Sequence, residues 1–207
     1  MSHPDAEAFW SGRYRDAGDD YLFGTAPNGF LIRQRERLPA GAEVLSVADG
    51  EGRNSVWLAE EGMRVTATEI SEIGLHKARR LAQARKVEVD FVRADILKWD
   101  WPRETHDVVV AIFIQFLSPA ERPMVFAAMQ AALKPGGLLL LHGYTPKQVE
   151  YRTGGPSAVE NLYTVELLAE SFKAMEILEL RAYEDTIEEG LGHKGHSALI
   201  DLVARRP

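Results

Sequence analysis

The chain has no cysteine, so a disulfide framework and a thiolate metal site are both excluded. It has no basic run longer than pairs such as Arg79-Arg80 and Arg205-Arg206, and its formal net charge is −7. Nucleic-acid binding needs a basic footprint, so neither DNA nor RNA is expected as a substrate. No apolar stretch approaches the roughly 18 residues that a membrane span needs. The amino end, M-S-H-P-D-A-E, has neither the basic nor the apolar region of a secretion leader. No internal repeat or low-complexity segment is visible. The expectation is a cytoplasmic enzyme acting on a small molecule, with no membrane partner, as a monomer or homodimer. With 207 residues, 45% hydrophobic and 27% charged, the chain can bury the core of one domain spanning residues 1–207.

Residues 44–54 read V-L-S-V-A-D-G-E-G-R-N. An apolar strand (Val44, Leu45, Val47) breaks into an acidic, glycine-bearing turn, with Asn54 and Ser55 as N-caps for a helix over residues 55–61. Glycine at 50 and 52 lets backbone approach a ligand, and the helix behind offers free N–H groups. No Gly-Lys-Ser/Thr follows, and the three glycines of the dinucleotide fingerprint are missing. Asp49 and Glu51 oppose a pyrophosphate and suit a ligand carrying positive charge.

A second strand, residues 64–68, leads into Glu69, close to the roughly 20-residue offset at which nucleotide-binding α/β units place an acid on ribose hydroxyls. Strands over residues 87–92 and 107–112 follow, the latter nearly all apolar, as a strand covered on both faces is. Asp49, Glu69 and Asp95 thus sit at the carboxyl ends of successive strands, where open parallel sheets bind ligands. Helical patterns over residues 73–84 and 119–133 alternate with these strands, which means a doubly wound, mostly parallel α/β sheet with helices on both faces. Residues 144–157 read as a long loop over the ligand edge, 164–171 as a helix, and 174–183 and 197–204 as strands around a glycine-rich turn.

These segments resemble the class I S-adenosylmethionine-dependent methyltransferases over residues 9–204, within them the small-molecule tellurite-resistance and thiopurine-type group. The carriers are V-L-S-V-A-D-G-E-G-R-N, the acidic V-T-A-T-E-I-S at 65–71, V-R-A-D-I at 92–96, D-V-V-V-A-I-F-I-Q-F-L at 107–117 and L-K-P-G-G-L-L-L-L at 133–141. The family's first motif usually has an acid where Ser46 stands and a glycine where Ala48 stands, and a negative φ is expected at Ala48. The resemblance implies a seven-stranded Rossmann-like sheet with an antiparallel last strand, and S-adenosyl-L-methionine as cofactor. Its implied contacts are Trp10, Tyr14, Tyr21, Ala48, Asp49, Gly50, Gly52, Arg53, Asn54, Glu69, Ile70, Asp95, Ile96, Ile112 and Phe113. Glu69 would hold the ribose, Asp95 the adenine amino group, Ile70 and Ile96 the ring faces, and Gly50 and Gly52 the methionine portion. It also divides the chain into an aromatic amino-terminal lid (residues 1–40), a cofactor-binding core (41–144) and a substrate-side loop with terminal strands (145–207).

The aromatic segment over residues 9–28 has two readings. It is either an amphipathic helix covering the core or a lid whose rings attract a sulfonium; Phe9 is expected as core, and Trp10, Tyr14 and Tyr21 as lid. Methyl transfer from a sulfonium needs alignment more than catalytic groups. A soft or anionic acceptor needs no strong base, and a hydroxyl or amine needs one within reach. Candidate substrate contacts are Gln115, His142, Tyr144, Arg152, Tyr163 and His193, with His142 and Tyr144 the candidate catalytic groups. His142 also reads as a satisfied, partly buried histidine, and Arg152 as a surface residue. His193 and His196 read as a solvated loop rather than a metal site, for want of a third ligand. Two alternatives stay open: an S-adenosylmethionine-binding protein without catalysis, and a nicotinamide-dependent oxidoreductase.

Overall fold

The computed structural model describes residues 5–190 and 192–207, so the first four residues of the leader reading lie outside the described residues. Helix α1 (Ala6–Asp16) starts on the side chain of Asp5, which accepts the Ala8 amide, and α2 (Gly29–Arg33) starts on Asn28. Then follow β1 (Glu43–Ser46), α3 (Arg53–Glu60), β2 (Arg64–Glu69), α4 (Glu72–Arg85), β3 (Asp90–Arg93) and β4 (His106–Ile112). The second half holds α5 (Arg122–Ala132), β5 (Leu133–Tyr144), α6 (Gln148–Tyr151), α7 (Val165–Ser171), β6 (Glu176–Glu189) and β7 (His193–Arg205).

All seven strands join one sheet in the order β3-β2-β1-β4-β5-β7-β6. β1 to β5 pair in parallel, and β7 lies antiparallel between β5 and β6. The apolar runs have a physical reason: each central strand is buried on both faces. Leu45, Val109, Leu139 and Leu141 join a core with Val125, Phe126 and Met129 of α5. Val44, Val108, Val110 and Leu140 join the opposite core with Leu58 of α3 and Phe30 and Leu31 of α2. Alternate residues thus serve opposite layers, the signature of a doubly wound sheet.

Three local readings are corrected. Helix α3 begins at Arg53, because Gly52 at φ +91° turns the chain into it, so Asn54 and Ser55 lie inside the first turn rather than capping it. Residues 144–157 contain α6, and Asp90–Arg93 is shorter than the strand expected there. β6 and β7 run further toward the hairpin than expected. Their outer halves are charged and partly exposed, Glu184 facing Ala198 and Glu188 facing Lys194, so no apolar alternation marks them.

Candidate functional site

The carboxyl ends of β1 to β5 open into a cavity of about 580 Å³, inside the roughly 300–1,000 Å³ range of small-molecule and cofactor sites. Its floor is the turn after β1. There Ala48 takes φ +50° and Gly50 φ +70°, so the negative φ expected at Ala48 is not observed. The turn is stitched to β2: the Asp49 amide donates to the Thr68 carbonyl at 2.8 Å and the Ala48 amide to Thr68 Oγ1 at 3.2 Å. Those bonds hold Ala48 in a backbone region that L side chains rarely adopt.

Glu69 ends β2 on the cavity wall, 4% exposed. Its Oε2 accepts the Gly50 amide at 3.0 Å and its Oε1 the Ser71 amide at 2.8 Å. Burial raises its carboxyl to about pKa 7 against the opposing pull of those amides. The Ile70 amide also favours the carboxylate, and no cation pairs with it among the described residues. Asp49 also lines the cavity and is raised by burial, while accepting from Ser46 Oγ at 2.6 Å and Ser55 Oγ at 2.5 Å. Asp95 accepts the Leu97 amide at 3.1 Å and pairs with Lys98 at 2.9 Å. Ile70, Ile96 and Ile112 supply apolar wall.

Glu51 contradicts its expected role. It points away from the cavity into α4, where it meets Lys77 Nζ at 2.9 Å and accepts the Leu22 amide at 2.7 Å. The same lysine donates to the carbonyls of Tyr14 and Asp20, fastening the amino-terminal segment to α4. Gly52 is also off the cavity: a Cβ there would come 2.8 Å from Ala78 Cβ and 2.9 Å from its Cα. Its glycine serves the close approach of α4, not of a ligand. Gly50 does line the cavity, 3.0 Å from the Tyr14 hydroxyl by the same measure.

Trp10 and Tyr14 lie on the wall with ring centres 6.0 Å apart, stacked. Phe9 is 39% exposed and borders the cavity, so it is not core. Tyr21 packs instead with Val56 and Leu81, its hydroxyl donating to the Lys77 carbonyl at 3.1 Å, and does not reach the cavity. Arg53 and Asn54 do line it. Arg53 pairs with Glu189 at 2.7 Å, and Asn54 Oδ1 accepts the Asn28 amide at 2.9 Å.

The far half is aromatic. Phe113, at φ +56°, stands 4.6 Å from the Tyr144 ring and 4.2 Å from His193. Gln115 reaches the wall, with its amide spent on the Tyr144 backbone in both directions. His193 opens β7 rather than sitting in a solvated loop, and burial with the nearby Arg53 charge pushes it down to about 3. His196 is exposed and pairs with Glu184 at 3.2 Å. His142 is off the cavity: its Nδ1 bonds Asp201 Oδ1 at 2.7 Å, and Arg33, Arg181 and Tyr183 converge on the same carboxylate. Tyr163 is buried in the α5 core, and Arg152 is exposed at the end of α6. Arg13, Phe23, Phe116, Asn161 and residues 154–158 also line the wall without having been named as contacts. Phe23 and Arg13 belonged to a visible aromatic cluster; nothing local marked the others.

Residues 44–137 match the family described as a methyltransferase domain. The match runs from β1 into β5, so this stretch of the chain is similar to a methyltransferase domain. Among curated relatives it is 33% identical over 113 residues to an S-adenosyl-L-methionine-dependent Diels-Alderase of Talaromyces variabilis, covering 50% of this chain and 37% of that protein. It is 31% identical over 109 residues to a demethylmenaquinone methyltransferase of Thermus thermophilus, covering 52% of this chain and 49% of that one. The chain thus spans under half the length of these relatives. The structure of TehB from Haemophilus influenzae superposes with TM-score 0.71 and 19% identity over 97% of this chain and 67% of that one, a likeness of fold. S-adenosylmethionine is the cofactor of this family. The residues present fit it: an unpaired, acceptor-only carboxylate suits a diol, and acids beside stacked rings suit a sulfonium. No helix of the methyltransferase domain or its flanks, among the described residues, is long and apolar enough to cross a membrane.

Proposed function

We propose that the protein transfers a methyl group from S-adenosylmethionine to a small-molecule acceptor. One observation carries this reading: Glu69, buried at the end of β2, takes a backbone amide on each oxygen and no cation, beside the Gly50 turn. Such a group is built for a neutral polyol, and its charge-assisted bonds to two hydroxyls are the strong kind. When bound, the cofactor supplies an already activated methyl group on a sulfonium.

In this reading Glu69 holds the ribose, Asp95 the adenine edge, and Ile70 and Ile96 the faces of its ring. Trp10 and Tyr14 cover the charged portion and exclude water, acting with the surrounding amino-terminal segment as a lid. Gln115, Tyr144 and His193 face the acceptor. Neither Tyr144 nor His193 is a strong base: burial raises the phenol well above its ordinary value and pushes the imidazole down to about 3. The cavity therefore aligns its reactants rather than deprotonating them, which suits a soft or anionic acceptor.

A second reading is supported by the Talaromyces relative, whose name assigns it S-adenosylmethionine-dependent ring-forming chemistry. Turnover separates the two. Incubation with S-adenosylmethionine and a panel of thiols, phenols and amines is expected to release S-adenosylhomocysteine with at least one acceptor. Cofactor binding without any such release would favour the second reading.

A further inference from the structure

Three rings surround one guanidinium at the mouth of the cavity. The Arg13 Cζ lies 5.2 Å from the Trp10 ring centre, 5.7 Å from Phe23 and 6.0 Å from Phe9. Arg13 is half-buried on the cavity wall, and no carboxylate among the described residues lies within ion-pair distance of it. The other arginine on the wall, Arg53, is neutralised by Glu189 at 2.7 Å. A guanidinium stacked on aromatic faces is weakly hydrated and keeps a rigid fork of N–H donors that matches a carboxylate.

Phe23 connects this cation to the far half of the cavity, since its ring centre is 4.6 Å from His193. Beyond it, Phe113 stacks on Tyr144 at 26° between ring planes. The Tyr144 hydroxyl and His193 Nδ1 are both buried with no hydrogen-bond partner. Buried polar atoms ordinarily have a partner, so one is expected from something that enters the cavity. Gly154 and Gly155 cover Tyr144 so closely that a Cβ on them would stand 2.9 Å from its hydroxyl and 2.8 Å from its ring. Tyr144, His193 and both glycines line the cavity wall.

We infer that the acceptor is a planar aromatic carboxylate: Arg13 grips its acid group, the rings of Phe23 and Phe113 flank its plane, and Tyr144 and His193 bond its remaining polar group. This rests on the proposal that the other half of the cavity takes the adenosyl cofactor. It makes Arg13 a specificity-determining residue, on a segment that precedes the first strand of the sheet.

The test is calorimetric titration of the protein, loaded with S-adenosylhomocysteine, with 2-naphthoate and its neutral isostere 2-naphthamide. A charge-assisted fork predicts that the carboxylate binds at least about tenfold more tightly. Arg13→Met should abolish that preference while changing S-adenosylhomocysteine affinity by less than about twofold; Arg13→Lys should retain part of it. Tyr144→Phe should weaken 6-hydroxy-2-naphthoate and leave 2-naphthoate unchanged. Equal binding of the acid and the amide overturns the inference. So does an Arg13→Met variant that loses S-adenosylhomocysteine and keeps the preference, because the guanidinium then reads the cofactor's own carboxylate. If S-adenosylhomocysteine does not bind the native protein, the cofactor reading fails, and the same acid-against-amide comparison on the free protein still decides the role of Arg13.

Discussion

Arg53, the first residue of α3, and Glu189, the last of β6, form an ion pair at 2.7 Å with both side chains nearly buried. Glu189 also accepts two bonds from Asn28 Nδ2, at 2.9 and 3.0 Å, and one from the Gly29 amide at 3.2 Å. The hairpin tip thereby fastens the amino-terminal segment over the cavity. Next to it the Gly192 amide donates to the Leu22 carbonyl at 3.0 Å.

Breaking this pair leaves a buried charge uncompensated, which costs about 3–5 kcal/mol. Glu189→Ala is expected to lower global stability by up to that amount and to speed hydrogen exchange across residues 22–28. Burial raises the Glu189 pKa, but Arg53 and Asn28 outweigh it and the net value is lowered. Its contribution is therefore present at neutral pH and lost as pH falls below the ordinary carboxylate range. Unchanged exchange in Glu189→Ala would show that the tip does not hold the segment.

Glu69 behaves in the opposite sense. Its folded pKa of about 7 exceeds the ordinary 4.5, so the folded state holds the proton more tightly than the unfolded one. Stability from this group is full below about pH 4.5 and declines as pH rises through about 7, a loss on the order of 3 kcal/mol. Glu69→Gln should therefore raise the melting temperature of the ligand-free protein at pH 8 more than at pH 5. Equal shifts at both values would contradict the burial-driven pKa.

Gly52 tests packing against binding. Any side chain there faces Ala78 at 2.8 Å with φ at +91°, and overpacking costs typically about 1–3 kcal/mol with strain adding to it. Gly52→Ala should lose stability in denaturant titration while the folded fraction still binds S-adenosylhomocysteine. Native stability with lost binding would return the glycine to the ligand.

His142 and Asp201 form a buried pair between the neighbouring strands β5 and β7, not on the cavity. Asp201→Asn leaves the half-exposed Arg33 and Arg181 and the buried His142 without their shared carboxylate, so a loss of about 1.5–3 kcal/mol is expected. The KM for an acceptor should not move. A raised KM in a stable Asp201→Asn protein would place His142 in the chemistry.

The sheet was legible because parallel strands buried on both faces must be apolar throughout, as Val108, Val109, Val110 and Ala111 are. Glu69 was legible because its place at a strand end follows from chain order alone. Glu51 was misread because its partner, Lys77, comes from a different helix, and no local pattern distinguishes an acid aimed at a ligand from one aimed at a lysine. Gly52 was assigned to a ligand for the same reason, its true neighbour Ala78 being brought in by α4. His193 looked like loop because the outer ends of β6 and β7 face solvent and carry glycine and charge. Its burial depends on Phe23, far away in sequence.

The most direct measurement is calorimetric titration of native and Glu69→Ala proteins with S-adenosylhomocysteine at pH 8, with NAD as control. Saturable binding to the native protein, at least about tenfold weaker in folded Glu69→Ala, and no binding of NAD are the predicted results. Binding that Glu69→Ala leaves unchanged, or no binding by the native protein, would contradict the assignment of the cavity.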